Sequence, residues 1–328
     1  MDELSVKFPY EHLFSKYDEM LTLLSNIATK PSMLTIIRKR VYDRDTNILI
    51  RTYPKDYWMV DSFSNYFTEY NRLCVSVSTK DYDKKKGAQL SPMQKWERCG
   101  EKETVLARLE RYLLSPNDAD LKFLKDYRDS YYHLTANLFN PCIMIALLHK
   151  YNLTRAKVLD PTAGWGDRLI ASLLVGVKEY VGFDTNDALI PKYEEIALTL
   201  NKSTITKFIC CPFEYGDPGE NFDVVFTSPP FFDVEVYEGD KTSTALYKTR
   251  EEWDTNFYLP FLQKSSRALK PNGYIMLYIP YDMFKIADDY LQSVSFKFVE
   301  QFGFYQQAKV GVLNFKKIRY TYIWIKDY

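Results

Sequence analysis

Val158-Leu159-Asp160-Pro161-Thr162-Ala163-Gly164-Trp165-Gly166-Asp167-Arg168 is the stretch on which the fold turns. A short apolar run ends in an acid and a proline, a turn with two glycines follows, and the apolar segment 169–174 then reads as a helix. A strand-turn-helix junction of this kind lets backbone approach a ligand closely at the carboxyl edge of a parallel sheet, where doubly wound folds bind nucleotides. No Gly-Lys-Ser/Thr follows, so the turn is not a phosphate loop. With only Gly164 and Gly166 it is not a dinucleotide fingerprint either.

The rhythm downstream fits that junction. Apolar runs at 156–159, 180–183, 206–211, 222–227 and 273–279 are separated by amphipathic segments, as in a parallel sheet with helices on both faces. Two last runs, 296–302 and 320–325, have only a loop between them and predict an antiparallel hairpin at one sheet edge. Upstream, residues 33–53 alternate β-branched and charged side chains around Asp43-Arg44-Asp45-Thr46-Asn47, which suggests a hairpin, with a helix over 34–41 as the alternative. Helical stripes follow at Leu106, Leu109, Leu113, Leu114 and at Leu121, Leu124, Tyr127, Tyr131, broken by Ser115-Pro116-Asn117. Asn140-Pro141 then opens an apolar helix, the proline suiting a first turn. The expected organisation is α/β: a seven-stranded Rossmann-like sheet with an antiparallel C-terminal hairpin over residues 136–328, behind a smaller N-terminal mixed α/β recognition domain over residues 1–135.

Composition sets the bounds. The 328 residues are 46% hydrophobic, ample for a large core, and 43 basic side chains balance 43 acidic ones, which excludes a bulk cationic coat for nucleic acid. The balance is uneven along the chain: residues 1–150 hold 23 basic and 20 acidic side chains, and residues 151–328 the reverse. Basic residues gather in Arg38-Lys39-Arg40, Arg44 and Arg51 and in Lys84-Lys85-Lys86, with Tyr42, Tyr53 and Trp96 interleaved. Lys84, Lys85, Lys86 and Trp96 are thus candidates for a nucleic-acid surface, cations for phosphates and rings for bases, against the ordinary reading of a solvated charged face. Five cysteines without a Cys-x-x-Cys pair support neither a disulfide framework nor a zinc site, and His12, His133 and His149 have no metal-ligand spacing. The acidic start, Met1-Asp2-Glu3-Leu4, has no signal core, and no run spans a membrane, so a soluble cytoplasmic protein is expected.

The ends of the predicted strands collect chemistry. Asp184, closing the second strand, stands where a carboxylate accepts both hydroxyls of a ribose. A ribose site without a phosphate cradle suggests S-adenosylmethionine. Phe213 and Glu214, after the third strand, either flank an adenine or serve as core ring and helix cap. Asp167 and Arg168 read as a first-turn pair or as contacts to a methionine carboxylate, and Trp165 as a cofactor shield or a packing wedge. After the fourth strand comes Ser228-Pro229-Pro230-Phe231-Phe232, where two prolines force the chain out of the sheet with its carbonyls fixed.

At this point the chain resembles the class I S-adenosylmethionine-dependent methyltransferases, specifically the exocyclic amino methyltransferases of nucleic acids, with their Ser/Asn/Asp-Pro-Pro-Tyr/Phe/Trp tetrapeptide. The resemblance covers about residues 138 to 328: Asn140-Pro141, Asp160 to Gly166, Asp184, Ser228 to Phe231, and Leu269-Lys270-Pro271-Asn272-Gly273. Phe232-Asp233-Val234-Glu235-Val236-Tyr237 is similar to a viral or phage DNA methyltransferase branch. The resemblance implies an S-adenosylmethionine site built from Asn140, Pro141, Asp160, Thr162, Gly164, Gly166, Asp184, Phe213 and Glu214. It implies catalysis by Ser228, Pro229, Pro230 and Phe231, with Phe232 near the substrate. The implied reaction is methylation of N6 of adenine or N4 of cytosine in DNA, the viral likeness favouring adenine and Ser228 favouring cytosine. The same tetrapeptide occurs in RNA and protein-glutamine methyltransferases, so RNA is the alternative acceptor. A catalytically silent subunit is a third reading, against which the intact set of residues speaks. No target-recognition insert separates Gly166 from Ser228, so recognition falls to residues 1–135. Oligomeric state is not legible.

Overall fold

The structure is a computed structural model that describes residues 8, 10–14, 16–30, 34–41, 44–50, 62–75, 90–132, 135–200, 203–232, 237, 241–305 and 319–327. The amino-terminal part holds helix α1 (Tyr17–Thr29), strands β1 (Thr35–Val41) and β2 (Arg44–Ile50), and helices α2 (Asn65–Leu73), α3 (Pro92–Glu97), α4 (Lys102–Leu114) and α5 (Asp118–Tyr132). Then α6 (Pro141–Lys150), β3 (Lys157–Asp160), α7 (Asp167–Val175), β4 (Glu179–Asp184), α8 (Ile190–Leu200), β5 (Ile205–Cys210) and β6 (Phe222–Thr227) alternate. The chain closes with α9 (Ser243–Leu246), α10 (Arg250–Trp253), α11 (Leu259–Ala268), β7 (Leu269–Tyr278), α12 (Tyr281–Ser293), β8 (Phe296–Tyr305) and β9 (Arg319–Lys326).

All strands lie in one sheet, ordered β1-β2-β8-β9-β7-β6-β3-β4-β5. The five central strands β3 to β7 are mutually parallel, and β9 runs antiparallel between β7 and β8, so the expected parallel sheet and C-terminal hairpin are present. The count is nine rather than seven. The β1–β2 hairpin, with Val41 opposite Arg44, adds to the outside of β8, where β2 runs parallel in the register Ile48 with Gly303. Residues 44–47 therefore belong to a strand and not to the turn, and the helical alternative for 34–41 falls.

The addition has a physical cause. Uncovered, β8 would end the sheet with a row of unpaired backbone groups. Ile48 and Leu49 are buried at the seam, Gln301 Nε2 donates to Thr46 Oγ1 at 2.8 Å, and Asn47 Nδ2 donates to the Glu300 carboxylate. A boundary at residue 135 is thus not a boundary between independent cores. Met20, Leu24 and Ile27 of α1 share one core with Ile143 and Leu147 of α6 and with Leu169 and Ile170 of α7. The other face of the sheet is covered by a second core containing Trp253, Phe261, Phe284 and Leu291. Among the described residues, Phe8, Tyr10, Leu73 at the end of α2 and α3–α5 gather around a small third core.

Local sequence explains the helix that leads into the sheet. Asn140 caps α6, its Oδ1 accepting from Cys142 N at 2.9 Å, with Pro141 in the first turn. β3 opens at Lys157, seven residues after α6 ends at Lys150, and the glycine turn stands at the carboxyl edge as expected.

Candidate active site

The turn between β3 and α7 is held by buried charge. Asp160 is 0% exposed, and its carboxylate accepts from Arg168 Nε at 2.8 Å, Tyr180 Oη at 2.7 Å and Thr227 Oγ1 at 2.7 Å. A carboxylate taken out of water must be satisfied internally, and this one is, by groups from α7, β4 and β6. Asp160 borders neither cavity described below, so its expected cofactor contact is replaced by a role that ties three elements together. Arg168 pairs with Asp160 rather than with its neighbour Asp167, and its second arm bonds the Thr162 carbonyl.

Gly164 and Gly166 have φ of 62° and 89°, a left-handed region that penalises any side chain. Their roles differ. Gly164 faces the cavities and donates its N–H to Asp184 Oδ2 at 2.9 Å. Gly166 packs inward, where an added Cβ would stand 2.7 Å from Ile196 Cδ1. It gives α7 its close approach to α8 and does not border the cofactor space, contrary to the expectation.

Two cavities open along this edge and share walls at Thr162, Gly164, Trp165, Ser228 and Pro230. The first, about 340 Å³, is bordered by Asp184, Asn186, Phe213 and Glu214, within the range of about 300 to 1,000 Å³ usual for ligand sites. Asp184 accepts from Gly164 N and from Asn186 N, each at 2.9 Å, and burial pushes its carboxyl pKa up. The single proton of Tyr193 Oη goes to the nearer Gly164 carbonyl, with Asp184 Oδ2 3.2 Å away. Two of roughly four acceptor positions on the carboxylate are thereby used, which leaves room for both hydroxyls of a ribose. Phe213 lines the cavity with its ring braced edge-on against Phe183 and Phe261. Glu214 Oε2 is buried with no hydrogen-bond partner, and burial raises its pKa. An orphan acceptor in the wall is what an amino-bearing base such as adenine would satisfy.

One wall of this cavity comes from a segment that sequence reasoning missed. Tyr70, Asn71, Cys74 and Val75, at the end of α2, form one wall, and Thr68 Oγ1 donates to the Trp165 carbonyl at 3.0 Å. Trp165 borders both cavities while mostly buried. Thr242 and Ser243 of the segment after the tetrapeptide also line it, and Ser243 Oγ accepts from Trp253 Nε1 at 3.0 Å.

The second cavity, about 770 Å³, is bordered by all four of Ser228, Pro229, Pro230 and Phe231. Thr162 Oγ1 donates to the Ser228 carbonyl at 3.1 Å and contacts Thr227 Oγ1 at 2.7 Å, which fixes the chain as it leaves β6. The Ser228 hydroxyl and the Pro229 carbonyl have no hydrogen-bond partner among the described residues. Aromatic side chains, including Phe139, Tyr278 and Tyr322, make up much of the remaining wall. Asp167 also borders it, accepting from Phe139 N at 3.2 Å, and burial pushes its pKa up to about 6.

Residues 179–309 match the family model of the Eco57I restriction-modification methylase. No curated protein matches the sequence. Among solved structures, a methyltransferase from Pyrococcus furiosus is 15% identical, with 58% of this chain and 84% of that one covered and a TM-score of 0.40. TrmN from Thermus thermophilus is 18% identical, with 57% and 49% covered and a TM-score of 0.42, so the alignment spans about half of that protein. The tRNA (m1A58) methyltransferase TrmI from Aquifex aeolicus is 15% identical, with 58% and 70% covered and a TM-score of 0.38. The family match, laid over the strand ends just described, supports a methyltransferase with S-adenosylmethionine as its cofactor. The cavity bordered by Asp184 and Glu214 fits that molecule.

Several expected site residues stand elsewhere. Asn140 and Pro141 are spent on the α6 cap and border neither cavity; the preceding Asn137, Leu138 and Phe139 do. Phe232 turns away, its ring 5.9 Å from that of Trp253 in the core. Trp96 is 1% exposed, packed edge-on against Phe8 at 5.2 Å and near Tyr127 and Tyr131, so it offers no face to a base. Lys84, Lys85 and Lys86 lie outside the described residues. Among the described residues no helix is long and apolar enough to cross a membrane.

Proposed function

We propose that this protein transfers the methyl group of S-adenosylmethionine to an exocyclic amino group of a DNA base, N6 of adenine or N4 of cytosine. The observation that carries the reading is the seat of Ser228-Pro229-Pro230-Phe231 at the junction of the two cavities, with its backbone anchored by Thr162. When bound, the cofactor supplies an electrophilic methyl group on a sulfonium. The amino nitrogen of a base is a poor nucleophile because its lone pair is delocalised into the ring. Ser228 Oγ and the Pro229 carbonyl, both unengaged, accept its two N–H groups and draw the nitrogen toward a tetrahedral shape aimed at the first cavity. Positioning of this kind supplies most of the rate and needs no base before transfer. Phe231 offers a ring for stacking, and the aromatic wall provides the space for a base turned out of its helix, an extrusion costing a few kcal/mol in a duplex.

DNA is favoured over RNA by two things. The matched family is one of restriction-modification methylases, and residues 232–237 are similar to the viral and phage DNA branch. The deciding experiment is mass spectrometry of nucleosides from plasmid DNA and total RNA incubated with the protein and deuterated-methyl S-adenosylmethionine. Labelled N6-methyladenine or N4-methylcytosine in DNA is expected. Label confined to RNA would replace the acceptor, and none in either would overturn the reading.

A further inference from the structure

We propose that Arg44 grips a backbone phosphate of the nucleic acid beside the base held in the larger cavity. The proposal rests on the amino-methylation reading above and names the first substrate contact made by the amino-terminal hairpin.

Arg44 opens β2, and β2 is fixed to the sheet by the Thr46–Gln301 and Asn47–Glu300 bonds, so its position is set by the fold. It borders the same cavity as Ser228 to Phe231. Its guanidinium carbon stands 4.9 Å from the centre of the Phe284 ring and 5.2 Å from that of Phe298, held against two aromatic faces. On the wall of this cavity it is a cation without a counter-ion among the described residues. Arg38 pairs with Asp45 at 2.6 Å, Arg111 with Asp120 at 2.5 Å, Arg168 with Asp160 at 2.8 Å and Arg250 with Asp282 at 2.7 Å. Arg44 pairs with no carboxylate among the described residues. The remaining cation on this cavity, Arg168, is neutralised by its buried partner.

A planar cation backed by rings presents its N–H fork outward, a shape that matches the oxygens of a phosphate. Arg44 is half-buried and so reaches from the cavity to its mouth. A base seated against Ser228 and Phe231 leaves its sugar and phosphate at that mouth. An uncompensated cation there meets the one charge every nucleotide carries, whichever base is methylated. Tyr281, 56% exposed and also bordering the cavity, continues the rim with Lys285 Nζ 4.9 Å from its ring centre.

The test is binding of single-stranded and duplex oligonucleotides of several sequences across a range of salt, with S-adenosylhomocysteine present, for the wild type, Arg44→Ala and Arg44→Lys. Arg44→Ala is expected to lose about tenfold in affinity, evenly across sequences. The slope of log K on log salt should shrink by about 0.9 on duplex or 0.7 on single strands, the mark of one phosphate. Arg44→Lys should keep the slope, and all three proteins should bind S-adenosylhomocysteine equally, which guards against misfolding. An unchanged slope in Arg44→Ala overturns the assignment, as does a loss confined to one sequence, which would make Arg44 a base contact. If the wild type still labels DNA in those cases, the methylation reading stands without it. A wild type that binds and labels no nucleic acid overturns both.

Discussion

Asp184 has two acceptor positions left after bonding Gly164 N and Asn186 N, and that count sets what the carboxylate can give the cofactor. One ribose hydroxyl donating to a charged oxygen is worth about 1.5 to 3 kcal/mol, or about ten- to a hundredfold in affinity at 1.4 kcal/mol per decade. Removing the side chain also unpairs two backbone donors, Gly164 N in the glycine turn and Asn186 N after β4, so Asp184→Ala weakens every ligand of the cavity by a common amount. A cycle separates the two effects. Calorimetry would compare S-adenosylhomocysteine with its 2′-deoxy and 3′-deoxy analogues on the wild type and on Asp184→Ala. In the wild type each analogue should lose about ten- to a hundredfold; in Asp184→Ala both should match the parent ligand. Equal penalties in the two proteins would show that the ribose is not on Asp184. A penalty for one analogue only, abolished by the substitution, would show that a single hydroxyl reaches the carboxylate.

Other expectations follow from the same contacts. Ser228→Ala should cut the methyl-transfer rate by about a hundredfold while leaving cofactor affinity unchanged, readable from single-turnover rates beside calorimetry. For Asp167 the folded pKa of about 6 lies above the unfolded value, so the stability linked to this group is complete below about 3.9 and is lost as pH rises through 6. Asp167→Asn keeps the acceptor for Phe139 N and escapes that loss. It should be more stable than the wild type by up to about 3 kcal/mol at pH 7.5, two pKa units at 1.36 kcal/mol each. Thermal melts should show the gap closing between about pH 6 and 4. Trp96→Ala should cost about 3 to 5 kcal/mol of stability as a core truncation, with no change in the salt slope of DNA binding, the opposite of a stacking surface residue.

The central sheet was legible because β3, β4 and β6 are largely buried and read as short apolar runs with turn residues between them, and even the more exposed edge strand β5 keeps such a run. The hairpin over 35–50 was legible as a hairpin but not as part of that sheet. Its partner Gln301 lies 255 residues away, and nothing local to either strand announces the pairing. Asp160 and Asp184 were both expected at the cofactor. One fell to the interior because Arg168, Tyr180 and Thr227 converge on it, a convergence that sequence spacing does not contain. Trp96 was misplaced for a related reason. Lysines interleaved with rings look alike whether the ring faces water or, as here, a small core completed by Phe8 from far upstream. The place of 228–231 at the end of β6 was legible because two prolines after a buried strand leave the backbone few paths.

The seam between β2 and β8 also orders events during synthesis. Strands β3 to β6, whose ends frame the first cavity, are all translated by Thr227, while Arg44 still waits for residues 301–305 to give its strand a neighbour. Pairing across that length is slow, since loop closure must precede any contact that rewards it. A ribosome-bound chain therefore carries the glycine turn and its buried Asp160 before the β2–β8 seam exists. Only the arrival of β8, and of β9 slotted between it and β7, brings Gln301, Tyr320 and Tyr322 to the second cavity and joins the hairpin to the sheet.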